Sequence, residues 1–302
     1  MEQLVRSGAE VRVADSFESG SRQNIGKMLA KVQILKTDLL DQENCVKACN
    51  GVDVVLNLAA KVAGVEYNST HSSEMFVNNT RIGMNMLEAA RLSDVDEFLC
   101  VSSACVYSRH ATVPTPESEG FLDDPEASNL GYGWAKRVLE IQSRLYANQY
   151  GLKIAIVRPF NSYGPRDHFG NQYGHVIPML ISRVMNGESP LRVWGNGQQT
   201  RSFVFVTDVV RGMMLAIEKY ATADPINIGS SEEISIGALA NMIVAIAKNG
   251  VGITFDESKP QGQPRRCPDV KKARDVMGFE SIVPLRDGLR ETIDWFEKHK
   301  DP

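Results

Sequence analysis

Residues 98–107 of the chain are Phe-Leu-Cys-Val-Ser-Ser-Ala-Cys-Val-Tyr, and residues 132–136 are Tyr-Gly-Trp-Ala-Lys. The apolar start of the first stretch predicts a buried strand over 98–102. The second stretch leads into a segment with helical periodicity, which predicts a helix over 135–150. A strand, a loop that contains serine and a helix in this order form a β-α unit, and the chain repeats this unit on both sides.

Apolar runs of strand length recur along the first half of the chain. They lie at residues 11–14, 32–35, 52–58, 98–102 and 154–158. Most residues of these runs are apolar, without a strict apolar-polar alternation in the later ones, which is typical of parallel strands that are covered on both faces. We therefore predict an α/β fold with a Rossmann-like, doubly wound parallel sheet, whose large domain comprises residues 1–165.

Two long helical segments separate the later strands, at residues 79–92 and 135–150. In the second, Val138, Ile141 and Leu145 recur at helical spacing and form one apolar face. A face of this kind is typical of a helix that packs on a core.

After residue 165 the pattern changes to helices with short strands between them. The predicted helices span residues 176–186, 206–219, 236–248 and 286–299. We predict that residues 166–302 form mainly a smaller, mixed α/β substrate lobe, with some chain returning to the large domain. Doubly wound folds bind ligands beyond the carboxyl ends of their strands, so the loops after Leu58, Ser102 and Arg158 should line one site.

The composition argues against several kinds of partner. The net charge of the 302 residues is -4, so no basic excess attracts nucleic acid. The apolar runs are shorter than a bilayer span and no signal-like segment opens the chain, which predicts a cytoplasmic protein rather than a membrane protein. The five cysteines include no Cys-x-x-Cys pair and no neighbouring histidine at zinc spacing, so we expect reduced thiols and no metal site.

Tyr132 and Lys136 carry the strongest chemical signal. They are four residues apart, so on a helix they share one face, and the lysine cation favours the tyrosinate. Such a phenol can exchange a proton with a sugar hydroxyl while a nicotinamide exchanges a hydride with the same carbon. Ser103 would hydrogen-bond the same oxygen. The spacing alone is also found where surface helices begin.

The order of the motifs resembles the extended short-chain dehydrogenase/reductase family, whose members include epimerases and dehydratases. The matching residues are 57–60, 79, 102–107, 132–136, 158–165, 194–203 and 227–230. The resemblance covers nearly the whole chain and implies a nicotinamide-dependent enzyme with Ser103, Tyr132 and Lys136 as its triad. It also implies a homodimer formed through the two long helices of the large domain.

Asp15 closes the first predicted strand, where a carboxylate accepts hydrogen bonds from the adenine ribose and repels a 2′-phosphate. This position favours NAD over NADP, although a capping aspartate would look the same. The resemblance implies further cofactor contacts, to which Tyr132 and Lys136 also belong. These residues are Asp38, Leu39, Leu58, Ala59, Ala60 and Asn79.

One departure from the family concerns the glycine-rich turn. No Gly-x-x-Gly-x-x-Gly precedes Asp15, and residues 1–8 resemble the end of the family's first helix. We therefore expect the first strand and its turn, whose amides bind pyrophosphate, to be missing from the large domain. A non-catalytic protein that binds sugar nucleotides is the alternative that this departure leaves open.

Residues 102–107, Ser-Ser-Ala-Cys-Val-Tyr, resemble the GDP-mannose 3,5-epimerases and GDP-fucose synthases. Both groups move protons at C3 and C5 beside a C4 ketone, which requires an acid and a base on opposite faces of the sugar. Cys105 is the candidate for one of these groups, since a thiol can transfer protons. His175 matches the histidine of the GDP-fucose synthases and is the candidate for the other, although the GDP-mannose epimerases carry lysine there.

Four further residues are predicted to hold a nucleotide-diphosphate sugar, which we expect to be GDP-linked. Arg201 and Arg266 would clamp the diphosphate, because guanidinium groups bind phosphate oxygens in pairs. Asn161 resembles the family's substrate-contacting asparagine, and Trp194 could stack on the base or fill a core. We predict an NAD-dependent epimerase that resembles the GDP-mannose 3,5-epimerases and acts through a 4-keto intermediate. The alternatives are an epimerase-reductase like the GDP-fucose synthases and a UDP-sugar 4-epimerase.

Overall fold

The computed structural model describes residues 1–170, 174–259 and 262–299. The strands, in chain order, are β1 Val11–Asp15, β2 Val32–Lys36, β3 Val54–Asn57, β4 Glu97–Val101, β5 Lys153–Pro159, β6 Ser162–Tyr163, β7 Leu191–Trp194, β8 Thr200–Ser202, β9 Val204–Phe205, β10 Ile226–Ile228, β11 Glu233–Ser235, β12 Ile253–Asp256 and β13 Arg265–Arg266. The helices are α1 Glu2–Arg6, α2 Gln42–Cys49, α3 Val65–Thr70, α4 Ser72–Leu92, α5 Leu130–Tyr150, α6 Val176–Met185, α7 Val206–Lys219, α8 Ile236–Ala247, α9 Lys271–Met277 and α10 Leu285–His299.

The large domain is built on parallel strands. One sheet has the order β10-β5-β4-β3, and β1 pairs with β2 in a second, two-stranded sheet. Both sheets contribute to one hydrophobic core, because Ala14 and Leu35 of the small sheet pack with Val55 and Cys100 of the large one. This arrangement confirms the predicted α/β, Rossmann-like fold.

The two sheets of the large domain are not hydrogen-bonded to each other within the described residues. Among those residues β1 pairs only with β2, and β3 pairs only with β4. Each strand therefore presents one open edge, and Val54 at the start of β3 is 43% exposed. The expectation of a missing strand in the large domain stays a prediction.

Helices α4 and α5 both begin earlier than the sequence pattern predicts. Two glycines in the first turn of α5 allow close packing of this helix start. A Cβ atom on Gly131 would lie 1.9 Å from the carbonyl oxygen of Ser72, and one on Gly133 would lie 2.4 Å from that of Cys105. Only glycine allows this approach, which brings the first turn of α5 against the start of α4 and against the loop after β4.

The predicted apolar face of α5 is wrong in its direction. Ile141 and Leu145 are 43% and 58% exposed, whereas Tyr132, Lys136 and Glu140 lie on the buried face. Because the buried face of α5 carries these polar groups, the apolar periodicity of the sequence wrongly indicates the opposite, exposed face as the one that packs on the core.

The smaller lobe is formed mainly by the chain between β5 and β10 and by the chain that follows β10. Its core is formed by apolar side chains of α6, α8 and α10 with those of β7 and β9. Strand β7 pairs with β12, and the strand order β11-β8-β13 forms a separate sheet. Strand β10 pairs with β5, so residues 226–228 extend the large sheet.

Candidate active site

Ser103, Tyr132 and Lys136 come together at the carboxyl end of β4. The Ser103 hydroxyl lies close enough to the Tyr132 phenol to lower its pKa. The Nζ atom of Lys136 lies 5.4 Å from the centroid of the Tyr132 ring and donates to the carbonyl oxygen of Val101 at 2.8 Å. The strand end and the first two turns of α5 thus place serine, phenol and cation side by side.

Burial controls the electrostatics of this group. It raises the pKa of the Tyr132 phenol, and the neighbouring Cys105 raises it further, whereas the Ser103 hydroxyl lowers it. Burial also lowers the pKa of the Lys136 ammonium. A positively charged nicotinamide ring in this place would favour the tyrosinate, so the site is suited to a cationic cofactor.

Cys105 lies in the short 3₁₀ turn Ala104–Val106 that follows β4. Its backbone amide donates to the Ser103 hydroxyl at 3.1 Å. Cys105 interacts electrostatically with both Tyr132 and Lys136. It is partly exposed, whereas the other four cysteines are buried. The sequence-predicted thiol is therefore beside the triad and open to a ligand.

The loop after β3 is held by Asn79. This side chain donates to the carbonyl oxygens of Lys61 and Met75 and accepts from the Lys61 amide at 2.9 Å. Its amide group is thus occupied by protein partners, and it positions the loop that carries the predicted cofactor residues Leu58, Ala59 and Ala60. Leu58 is 59% exposed at the strand end, where it can contact a ligand.

Asn57, the last residue of β3, supplies a direct indication of a polar ligand. Its Oδ1 atom is buried and has no hydrogen-bond partner in the described part of the chain. A buried acceptor without a donor is rare in native proteins, and a ligand or an ordered water that donates a hydrogen bond would satisfy it. The residues at the end of β3 therefore fit a cofactor that offers hydrogen-bond donors.

Asp15 and Asp38 occupy the ends of β1 and β2 as predicted. One carboxylate oxygen of Asp15 accepts from the Phe17 amide at 2.7 Å, which leaves the other oxygen for a ribose. Asp38 accepts from the Leu40 amide and lines an open cavity of about 450 Å³ together with residues of α2 and α4. The side chain of Leu39 is buried in the core.

Arg201 and Arg266 lie side by side on β8 and β13. Arg266 donates to the carbonyl oxygen of Ala104 at 2.9 Å, which places it beside the turn that carries Cys105. Arg201 donates to the carbonyl oxygens of Thr200 and Gln263. Burial and the charge of Arg266 lower the pKa of Arg201 to about 10. Among the described residues no carboxylate forms an ion pair with either arginine, so the pair is suited to an anion.

Two further predicted substrate residues border this region. Asn161 has a φ of 36° and donates to the carbonyl oxygen of Ser202 at 2.8 Å, so it connects the end of β5 to β8. Trp194 is 45% exposed at the end of β7, and Lys259 lies 5.8 Å from its ring centroid. An exposed ring can stack on a base, and the alternative of a core tryptophan does not hold.

His175 lies at the start of α6 and is exposed. Within residues 1–170, 174–259 and 262–299, no hydrogen bond, ion pair or ring contact joins it to Cys105 or Tyr132. The predicted pairing of His175 with Cys105 therefore stays a prediction. Its neighbours at 171–173 lie outside the described residues.

The family model described as "NAD dependent epimerase/dehydratase family" matches residues 1–229. The chain belongs to this family. This match confirms the predicted family and the prediction of an NAD-dependent enzyme. Within the described residues no helix of this family member is long and apolar enough to cross a membrane, and no cluster of potential metal ligands is found.

Several relatives act on nucleotide sugars. A dTDP-4-dehydro-6-deoxy-D-allose reductase of Streptomyces sp is 34% identical over 99% of this chain and 92% of its own length. GDP-mannose 3,5-epimerase 1 of Oryza sativa subsp. japonica is 33% identical over 86% of this chain and 69% of its own. The structure is similar to UDP-glucose 4-epimerase of Thermotoga maritima with UDP-glucose, with a TM-score of 0.89, 26% identity and coverage of 99% and 94%. The chain is thus a member of a nucleotide-sugar epimerase and reductase family.

One buried network around Arg158 is absent from the sequence predictions. Arg158 donates to Glu140, to the Tyr107 hydroxyl and to the carbonyl oxygen of Glu117. Tyr107 in turn donates to Asn227 at 2.6 Å. A signal for Glu140 was present, because it follows Lys136 by the same four residues that separate Lys136 from Tyr132.

Proposed function

We propose that this family member is an NAD-dependent epimerase of a GDP-linked hexose and resembles the GDP-mannose 3,5-epimerases. In this proposal it acts through a 4-keto intermediate and exchanges a proton at C3, C5 or both. The observation that carries the proposal is the position of Cys105. A partly exposed thiol beside Tyr132 and Lys136 can reach a carbon next to the one that the triad oxidises.

The residues of the chain would act in turn on one sugar. Tyr132 removes the proton of the C4 hydroxyl while Ser103 holds the oxygen, and Lys136 favours the ionised phenol. NAD, held at Asp15 and at the end of β3, would supply the hydride acceptor for C4 and, after inversion, the hydride donor. The C4 ketone makes the hydrogens at C3 and C5 acidic, so Cys105 can remove one as a proton.

Inversion then requires a proton from the opposite face, for which His175 is the proposed donor. When the hydride returns to C4, Tyr132 gives its proton back to the oxygen. The reaction has no net oxidation or reduction, so the cofactor ends in the form in which it began.

The substrate class follows from the arginines and the exposed tryptophan. Arg201 and Arg266 would bind the two phosphate groups, and their mutual repulsion would be relieved by that anion. Trp194 would stack on the base. A nucleotide-diphosphate sugar satisfies both interactions, whereas a free sugar satisfies neither.

Deuterium exchange tests the proposal. The enzyme with bound NAD is incubated with GDP-mannose in heavy water, and the recovered sugar nucleotide is examined by mass spectrometry and NMR. We expect deuterium at C3 or C5. A 4-epimerase would leave both carbons unlabelled, because its hydride is returned without contact with solvent. A non-catalytic binding protein would return GDP-mannose unchanged.

The Cys105→Ser variant identifies the group that transfers the proton. Serine is far less acidic than cysteine, so labelling should fall at least tenfold while reduction of bound NAD by the sugar continues. Cys267→Ser is the matched control, because it makes the same chemical change at a buried cysteine. Equal labelling in both variants would remove Cys105 from the mechanism.

A second candidate is a net reductase of a 4-keto sugar nucleotide. The observation in its favour is the similarity to the Streptomyces dTDP-4-dehydro-6-deoxy-D-allose reductase over almost the whole of both chains. A reductase would use the same triad to protonate the C4 oxygen. It would consume one reduced nicotinamide for each dTDP- or GDP-linked 4-keto-6-deoxy sugar and would not label GDP-mannose. Among such reductases, a GDP-fucose synthase would also use Cys105 and His175 for proton transfer.

A further inference from the structure

Three side chains of α5, spaced by four residues, reach three consecutive residues at the end of β4. Tyr132 lies beside the Ser103 hydroxyl, and Lys136 donates to the carbonyl oxygen of Val101. The third is Glu140, whose Oε1 atom accepts from the Ser102 hydroxyl at 2.5 Å. The catalytic pair and this carboxylate thus form one continuous row of contacts between helix and strand.

Burial of the Glu140 carboxylate at this position is unfavourable unless the charge is paired. Its side chain is 0% exposed, and an isolated carboxylate in such a position would be neutral or would destabilise the fold. Arg158, 1% exposed at the end of β5, compensates it with two hydrogen bonds of 2.8 and 2.7 Å. Both carboxylate oxygens are therefore occupied, and Oε1 is shared between Arg158 and Ser102.

The arrangement joins three elements at one point. Glu140 belongs to α5, Ser102 follows β4, and Arg158 belongs to β5. The backbone amide of Ser102 also donates to the carbonyl oxygen of Val157 at 2.8 Å. A shift of α5 along β4 would have to break the buried ion pair as well as the Ser102 bond, so the relative position of Ser103 and Tyr132 is strongly constrained.

We infer that Glu140, held by Arg158, is a positioning residue that sets the Ser103 turn against Tyr132 through the Ser102 hydroxyl. The inference rests on the proposed function only in assigning catalysis to the triad. Glu140 touches no substrate in this account. It acts by holding the strand end, so that the Ser103 oxygen and the Tyr132 oxygen face the same ligand atom.

The sharpest test removes only the connection between the carboxylate and the strand. Ser102→Ala deletes this hydroxyl and leaves the ion pair of Glu140 and Arg158 intact. Ser143→Ala is the matched control, since Ser143 is also a fully buried serine and lies on α5, but has no hydrogen bond to the triad in the described structure. Ser102→Thr restores the hydroxyl and serves as the rescue variant.

Two measurements are made on the 302-residue chain with NAD. Hydrogen–deuterium exchange over residues 101–107 needs no sugar substrate, and it should be at least tenfold faster in Ser102→Ala than in Ser143→Ala or Ser102→Thr. Reduction of bound NAD is followed with GDP-mannose, UDP-glucose and dTDP-glucose. For whichever sugar the unaltered enzyme oxidises, Ser102→Ala should lower kcat at least tenfold with KM changed less than threefold.

The outcomes separate the two proposals. If the unaltered enzyme oxidises none of the three sugars, the proposed function fails, and the exchange data still decide the role of Glu140. Equal exchange in Ser102→Ala and Ser143→Ala would overturn the inference. So would an unchanged kcat in Ser102→Ala, or a kcat that Ser102→Thr does not restore.

Discussion

Arg266 lies directly opposite Arg201, on neighbouring parallel strands of the smaller lobe. Burial and, in addition, the neighbouring charge of Arg266 lower the pKa of Arg201. Two cations in register without a carboxylate partner are unfavourable unless an anion joins them. Because Arg266 donates to the carbonyl oxygen of Ala104, an anion bound by the pair would lie near Ser103 and Tyr132.

Replacing Arg266 with Ala should weaken the binding of GDP about tenfold to hundredfold, because charge-assisted hydrogen bonds contribute about 1.5–3 kcal/mol. Isothermal titration with GDP and with NAD measures both affinities, and we expect the NAD affinity to change little. The thermal midpoint should stay the same or rise, since the repulsion on Arg201 is removed.

Arg265→Ala is the control for this prediction. Arg265 is the adjacent residue, is exposed and is neutralised by Glu233 through two hydrogen bonds. The variant loses the same formal charge but should bind GDP normally. Equal loss of affinity in both variants would show that only the net charge of the lobe matters.

Replacing Tyr132 with Phe should lower turnover by about a hundredfold or more, because the proton of the C4 hydroxyl loses its acceptor. Binding of GDP should be unchanged. Tyr146→Phe removes a hydroxyl from the same helix, where Tyr146 donates to Glu88 at 2.7 Å, and should leave kcat intact. Normal turnover of the Tyr132 variant would exclude the phenol as the general base.

The exposed apolar side chains of α4 and α5 lead to a prediction about assembly. Val77 and Met84 on α4 and Ile141 and Leu145 on α5 are between 43% and 58% exposed, and the two helices pack against each other. We propose that a second copy of the chain covers them. Leu145→Glu should then shift the protein to monomers in sedimentation velocity.

Ile282→Glu is the control for the assembly prediction, because Ile282 is 70% exposed and lies outside both helices. Its sedimentation should match that of the unaltered protein. A Leu145→Glu variant that sediments like the unaltered protein would contradict the proposed dimer surface.

The open edges of β1 and β3 lead to the last prediction. An additional parallel strand between them would complete hydrogen bonding on both edges, and a Gly-x-x-Gly-x-x-Gly turn after it would offer amides to the pyrophosphate of NAD. Extending the chain before Met1 with such a segment should tighten NAD binding and raise the thermal midpoint in the presence of NAD. An extension whose turn glycines are replaced by Ala is the control. Equal NAD affinity with and without the segment would contradict the prediction.

The sequence predicted the positions of the helices along the chain more accurately than which face of a helix is buried. Helix α7 has the predicted bounds, and the other long helices differ at one or both ends. The predicted face of α5 failed because the side buried against β4 carries Tyr132, Lys136 and Glu140. A functional site placed on a helix face removes the hydrophobic signal that would identify that face as buried.

The sequence by itself determined the alternation of strands and helices in the large domain and the family, and it predicted the residues of the triad. These depend on local periodicity and on motifs of short spacing, which a linear sequence contains in full. The tertiary structure alone decided which distant residues meet. Arg266 reaches the carbonyl oxygen of Ala104 across 162 positions, and Ser102 reaches Glu140 across 38. Such contacts depend on strand register and on the close packing that Gly131 and Gly133 permit, and neither is encoded in a spacing along the chain.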